Sequence, residues 1–154
     1  MDTLSDTRTL RLVRIFDAPR ERVFDAWVVE KNFIQWMCPP TVNVDEVRLD
    51  VRPGGAWHLR GRKPNGAGFA TSGKYLEVTR PERLVFTWAH HQTDDYASPL
   101  GHETTVRLEF RAIGHKTELT LVHGPFADAP SCDAHIAGWS GSLDKLETYL
   151  RRTA

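Results

Sequence analysis

The chain has 154 residues, with twenty basic and twenty acidic side chains that cancel to zero formal charge. Beyond the short Arg60, Arg62, Lys63 cluster no stretch gathers its cations, which argues against nucleic acid as a partner. One domain of this size buries roughly 68–70% of its unfolded surface and needs neither metal nor disulfide to fold, and there is no apolar run of bilayer-crossing or signal-peptide length. The expectation is therefore a soluble cytoplasmic protein with no membrane insertion, one unit over 1–154 with its core at about 8–152.

From Arg8 to Phe16 the chain is rich in Leu, Val, Ile and Phe, which predicts a first strand stopped by Asp17-Ala-Pro19. Asp17 or Ala18 is the expected N-cap of a short helix with Pro19 in its first turn and Val23, Phe24, Trp27 and Val28 on its apolar face. A second helical piece, about Glu30 to Trp36, ends before Pro39-Pro40. The two make a bent corner.

From Val44 the apolar period changes from 3.6 to 2. Val47, Leu49 and Val51 alternate with charges, Arg52-Pro53-Gly54-Gly55 turns the chain, and Trp57 and Leu59 continue the inward face. Phe69 to Val78 follows, with Tyr75 and Leu76 competing for the inside. Arg83 to His91 points Leu84, Phe86, Trp88 and His90 inward, with Arg83 and Thr87 outward. A loop from Gln92 to Gly101 leads to Glu103 to Ala112, with Val106, Leu108 and Phe110 inward. The last strand, Glu118 to His123, places Leu119, Leu121 and His123 on the same side. Consecutive hairpins make an antiparallel sheet with one wet face.

Cys132 to Arg152 reads as one long helix capped by Ser131. Ile136, Trp139, Leu143, Leu146 and Leu150 form a stripe that must face the sheet. Beside it, Gly138 and Ser142 share a shallow flank with His135 and Tyr149. The fold class is α+β, a curved antiparallel sheet wrapped around a C-terminal helix, with a helical corner after the first strand.

Several segments carry a resemblance. Phe16-Asp-Ala-Pro19, Val23-Phe-Asp-Ala-Trp27, Asp50-Val-Arg-Pro-Gly-Gly55, Gly73-Lys-Tyr75 with Glu77, Pro81-Glu-Arg-Leu84, and Gly138-Trp139 with Leu143 and Leu146 resemble the activator-of-heat-shock-protein-90-ATPase homologue group. That AHSA-type group belongs to the START and birch-pollen-allergen superfamily. The likeness runs from about Leu10 to Leu150, although the doubled Trp common at the end of the corner is here Gln35-Trp36. It implies a helix-grip fold with a cavity between sheet and helix, used elsewhere in the superfamily to hold lipids, sterols and polyketides.

Parity places Trp57, Tyr75, Trp88, His90, His123 and Trp139 around that space, an aromatic pocket with imidazoles for a small apolar or aromatic ligand. No catalytic residue set stands out, and no cofactor is expected. The run His90-His91, Asp94, Asp95, His102, Glu103 matches no metal-site spacing, so no metal is expected. Cys38 and Cys132 read as two reduced thiols. Three functions remain: binding of a small apolar molecule, a pocket enzyme of cyclase or hydrolase type, and co-regulation of a chaperone ATPase through protein binding. A monomer and a homodimer both stay open.

Overall fold

The computed structural model describes residues 7–153. Among them run β1 (Leu10–Phe16), α1 (Arg20–Val28), α2 (Glu30–Phe33), β2 (Asn43–Leu49), β3 (Ala56–Arg62), β4 (Gly68–Thr79), β5 (Arg83–His90), β6 (Thr104–Ile113), β7 (Lys116–Gly124) and α3 (Ala129–Arg152). The strands form one antiparallel seven-stranded sheet in the order β1-β7-β6-β5-β4-β3-β2. Every neighbouring pair except β1–β7 is a sequential hairpin, the arrangement that alternation and turn chemistry predict. β1 joins at the far side, where Leu10 lies opposite His123 and Phe16 opposite Thr117. The sheet curls around α3 in a helix-grip fold.

Alternation translates directly into burial. Val106, Leu108 and Phe110 of β6 are buried while Arg107, Glu109 and Arg111 between them are exposed. On β4, Tyr75 goes inside and Leu76 is 54% exposed, which resolves the competition between them. β5 departs from the pattern because it is covered on both faces: Val85, Thr87 and Ala89 are buried as well. Thr87 meets that burial by accepting the Lys74 backbone N–H with its hydroxyl at 2.9 Å.

Three boundaries differ from the sequence expectation. Neither Asp17 nor Ala18 caps α1; Pro19 does, in extended backbone and with no side-chain cap. α2 ends at Phe33, and the chain reaches the buried Trp36 through turns. α3 starts earlier than Cys132, because Asp128 is the N-cap and Ser131 is a recipient, its N–H donating to Asp128 Oδ1 at 2.8 Å. A carboxylate at the positive end of the helix is a stronger acceptor than the serine hydroxyl, and Pro130 fits a first turn that needs no N–H. Of the expected stripe, Trp139, Leu143, Leu146 and Leu150 are buried and Ile136 is 37% exposed, so the buried face rotates toward Cys132 and Ser142. No helix among the described residues is long and apolar enough to cross a membrane.

Candidate functional site

The space between α3 and the inner sheet face is filled at one end and open at the other. The helical corner does the filling. Trp27, Phe33 and Trp36 are all buried, with the Trp27 and Trp36 rings edge to face at 4.6 Å and the Trp36 indole donating to Ala26 O at 2.9 Å. Trp57 and Tyr75 pack there against Phe86, at 5.6 and 6.1 Å between centroids. The gap they leave, about 10 Å³, is too small for any organic ligand. Trp57 reaches its place by crossing β4 at Gly73 and donating to Thr87 O at 2.9 Å. A Cβ on Gly73 would stand 1.8 Å from that oxygen and 2.4 Å from the indole nitrogen, so only glycine lets the ring through.

At the other end, beyond the Trp88 and Trp139 rings 5.4 Å apart, a cavity of about 330 Å³ opens between α3 and strands β3 to β5. That volume lies at the small end of ligand pockets. Leu59, Phe69, Met37, Trp88 and Trp139 give it apolar walls. It is open because α3 is thin here: a Cβ on Gly138 would meet nothing within 4 Å.

The polar groups behind and beside these walls form two hydrogen-bond chains whose directions follow from donor chemistry. The Trp139 indole can only donate, and it points at His123 Nδ1 at 2.9 Å. His123 is therefore neutral with its proton on Nε2, which donates to Thr104 Oγ1 at 2.7 Å, and Thr104 passes its own proton to Trp88 O at 3.0 Å. Burial first, then the nearby His135 and His90, push the His123 pKa down to about 2.

The second chain bridges helix and sheet at the cavity. His135 Nδ1 donates to Ser131 O at 2.8 Å, which leaves its Nε2 as an acceptor. His90 Nε2, 3.1 Å away, must supply the proton, and His90 Nδ1 then accepts from Thr71 Oγ1 at 2.9 Å. Water reaches one edge of His90, yet its ring is crowded by Trp88 and His135, and burial with the His135 and Lys63 charges lowers its pKa to about 4. His135 is lowered too, chiefly by burial.

Of the residues expected to wall a pocket, Trp88, His90 and Trp139 line the cavity. Trp57 and Tyr75 lie in the filled end, and His123 is fully buried behind Trp139 as its hydrogen-bond partner. Sequence reasoning missed Met37, Phe69, Thr71 and Lys63, while His135 was visible only as a neighbour of Gly138 on the helix flank. Cys38 also lines the cavity, with φ +73°, a backbone conformation rare outside glycine. Burial pushes its thiol up to about 12, far from a nucleophilic thiolate. Both cysteines are free and buried. His102 is turned away to Pro125 O at 2.8 Å, and among the described residues no three His, Cys, Asp or Glu side chains gather to hold a metal.

Known structures share this frame. The AHSA1 protein of Silicibacter pomeroyi is 30% identical with a TM-score of 0.82, the alignment covering 95% of this chain and 99% of that one. A protein of Chromobacterium violaceum is 25% identical at a TM-score of 0.78, over 91% and 95% of the two chains. One from Mycobacterium smegmatis, 23% identical over 97% and 94%, has the same fold at a TM-score of 0.82. No curated protein matches. The family model described as Activator of Hsp90 ATPase homolog 1-like protein matches residues 17–151, from the turn before α1 through almost all of α3. With that match spanning corner, sheet and gripping helix alike, the chain belongs to the Activator of Hsp90 ATPase homolog 1-like family.

Proposed function

We propose that this protein binds a small, largely apolar molecule in the cavity between α3 and β3 to β5. The observation that carries the reading is the open space at Gly138: a well-packed core leaves no hole of about 330 Å³ lined by two tryptophans and a phenylalanine. Trp88 and Trp139 offer flat faces for a planar ligand, while Thr71 and His90 offer a few directional polar contacts. Co-regulation of a chaperone through the outer sheet face has less support, because that face is occupied by ion pairs such as Arg83–Glu109 at 2.7 Å and Arg111–Glu118 at 3.1 Å. Enzymatic turnover through a thiol has less support, because burial holds Cys38, the one thiol in the wall, protonated.

Gly138→Leu tests the reading. Its side chain enters open space, and replacing glycine inside a helix favours folding by up to about 1 kcal/mol. The expected result is a variant at least as stable as the parent that no longer binds planar apolar probes, read by quenching of tryptophan fluorescence. Probe binding unchanged in a stable Gly138→Leu variant, or absent from the parent protein, would sink the proposal.

A further inference from the structure

The cavity has a polarity that its apolar walls do not explain. Among the described residues no carboxylate lines it, whereas Lys63, His90, His91 and His135 do. Lys63 makes no ion pair with any described carboxylate, although nine arginines do, among them Arg60 and Arg62 beside it. Only its backbone is engaged, the N–H donating to Ala67 O at 2.8 Å and the carbonyl accepting from the Gly66 N–H at 2.9 Å. The charges felt by His90 are those of His135 and Lys63, and His123 behind them is neutral and tied to Trp139. A cation and two imidazoles without a counter-charge, at the edge of an apolar cavity, present a positive field to whatever enters.

The imidazole pair adds a chemical specification. Its two Nε2 atoms, 3.1 Å apart, share one proton, while both outer nitrogens are held, by Thr71 Oγ1 and by Ser131 O. One further proton from solvent goes to His90 Nδ1, with the Thr71 hydroxyl turned to accept, or to His135 Nε2, and at either place it gives the pair a full positive charge. That charge beside the Lys63 ammonium is repulsive unless an anionic acceptor enters the cavity. A carboxylate fits that requirement, with the Lys63 ammonium as a donor and the charged imidazole pair beside it.

We propose, resting on the cavity reading above, that the ligand is an apolar acid, an aromatic or similarly apolar body with one carboxylate, bound with that group beside Lys63 and the His90–His135 pair and with uptake of one proton. The proton goes to the His90–His135 pair and no other covalent bond changes. The carboxylate supplies the counter-charge that makes the added proton tolerable, so binding tightens as pH falls toward the ordinary histidine range.

The experiment compares 2-naphthoate with 2-naphthamide, similar in shape and different in charge. Tryptophan fluorescence gives affinity at about pH 6.5 and about pH 8.5, and calorimetry in buffers of different ionisation enthalpy counts protons. The expected result is that the acid binds roughly tenfold more tightly than the amide at the lower pH. Its advantage shrinks at the higher pH, and about one proton is taken up only with the acid. The advantage should vanish in Lys63→Met, an exposed substitution, and the proton uptake in the variant that combines His90→Gln with His135→Gln. An amide that binds as well as the acid, or an acid advantage that survives in both variants, overturns the acid assignment while leaving the cavity reading intact. If neither probe binds, the cavity reading falls and takes the assignment with it.

Discussion

Protonating His123 would set its Nδ1–H against the indole N–H of Trp139, which already donates to that nitrogen. The fully buried ring therefore stays neutral to about pH 2, while in the unfolded chain it protonates near pH 6.5. As pH falls below about 6.5 the unfolded state gains a proton that the folded state refuses, so stability is complete above that pH and declines beneath it. The decline is about 1.4 kcal/mol per pH unit for such a residue. His90 and His135, lowered in the same direction, add to it. Urea unfolding at several values between about pH 7 and pH 5 should show the slope, and His123→Gln, which keeps a neutral acceptor for Trp139, should flatten it by about one proton. A slope unchanged in that variant would mean that water reaches the ring.

At the scale of elements, α3 holds the sheet through Leu143 and Leu146, 1% and 0% exposed in the same buried cluster as Leu84, Leu108 and Leu121. Leu146→Ala should cost about 2–5 kcal/mol in urea unfolding, and a cost near zero would show that the helix contributes little to the core. This much was legible in the sequence, because a period of 2 assigns faces and a stripe at three and four residues assigns the covering helix. Position along a face was not legible. Trp57, Tyr75 and Trp88 all point inward, yet only Trp88 reaches the cavity, because the corner's Trp27, Phe33 and Trp36 occupy the far end. That outcome depends on how α1 and α2 dock, a matter of volume in three dimensions that no periodicity encodes. His135 escaped for a related reason: its role comes from a partner 45 residues away, His90, across the gap between helix and sheet. Glycines told more. Gly138 marked the thin flank, although from sequence its space could not be distinguished from close packing.

For the whole molecule, a cavity bordered by both α3 and the sheet couples ligand binding to global unfolding, since neither wall survives without the other. A ligand at 100 times its Kd should add about 2.7 kcal/mol and raise Tm by roughly 5–10 °C for a chain of this size. A melting curve unmoved by a probe that quenches fluorescence would place that probe on the surface instead. The strand order has a different kind of consequence, one of timing during synthesis. Among the described residues β1 is the first strand to be made, yet its sole partner is β7, the last, with Leu10 opposite His123. At ordinary translation rates that partner follows roughly 6–20 seconds later. Throughout that interval a strand whose Val13 and Ile15 are exposed even in the finished fold has an unpaired backbone on both edges. Limited proteolysis of ribosome-bound chains should find β1 open to cleavage until β7 has cleared the exit tunnel, then closed. The growing sheet is thus open to aggregation through β1 until β7 emerges, and delay anywhere between the two strands lengthens that exposure.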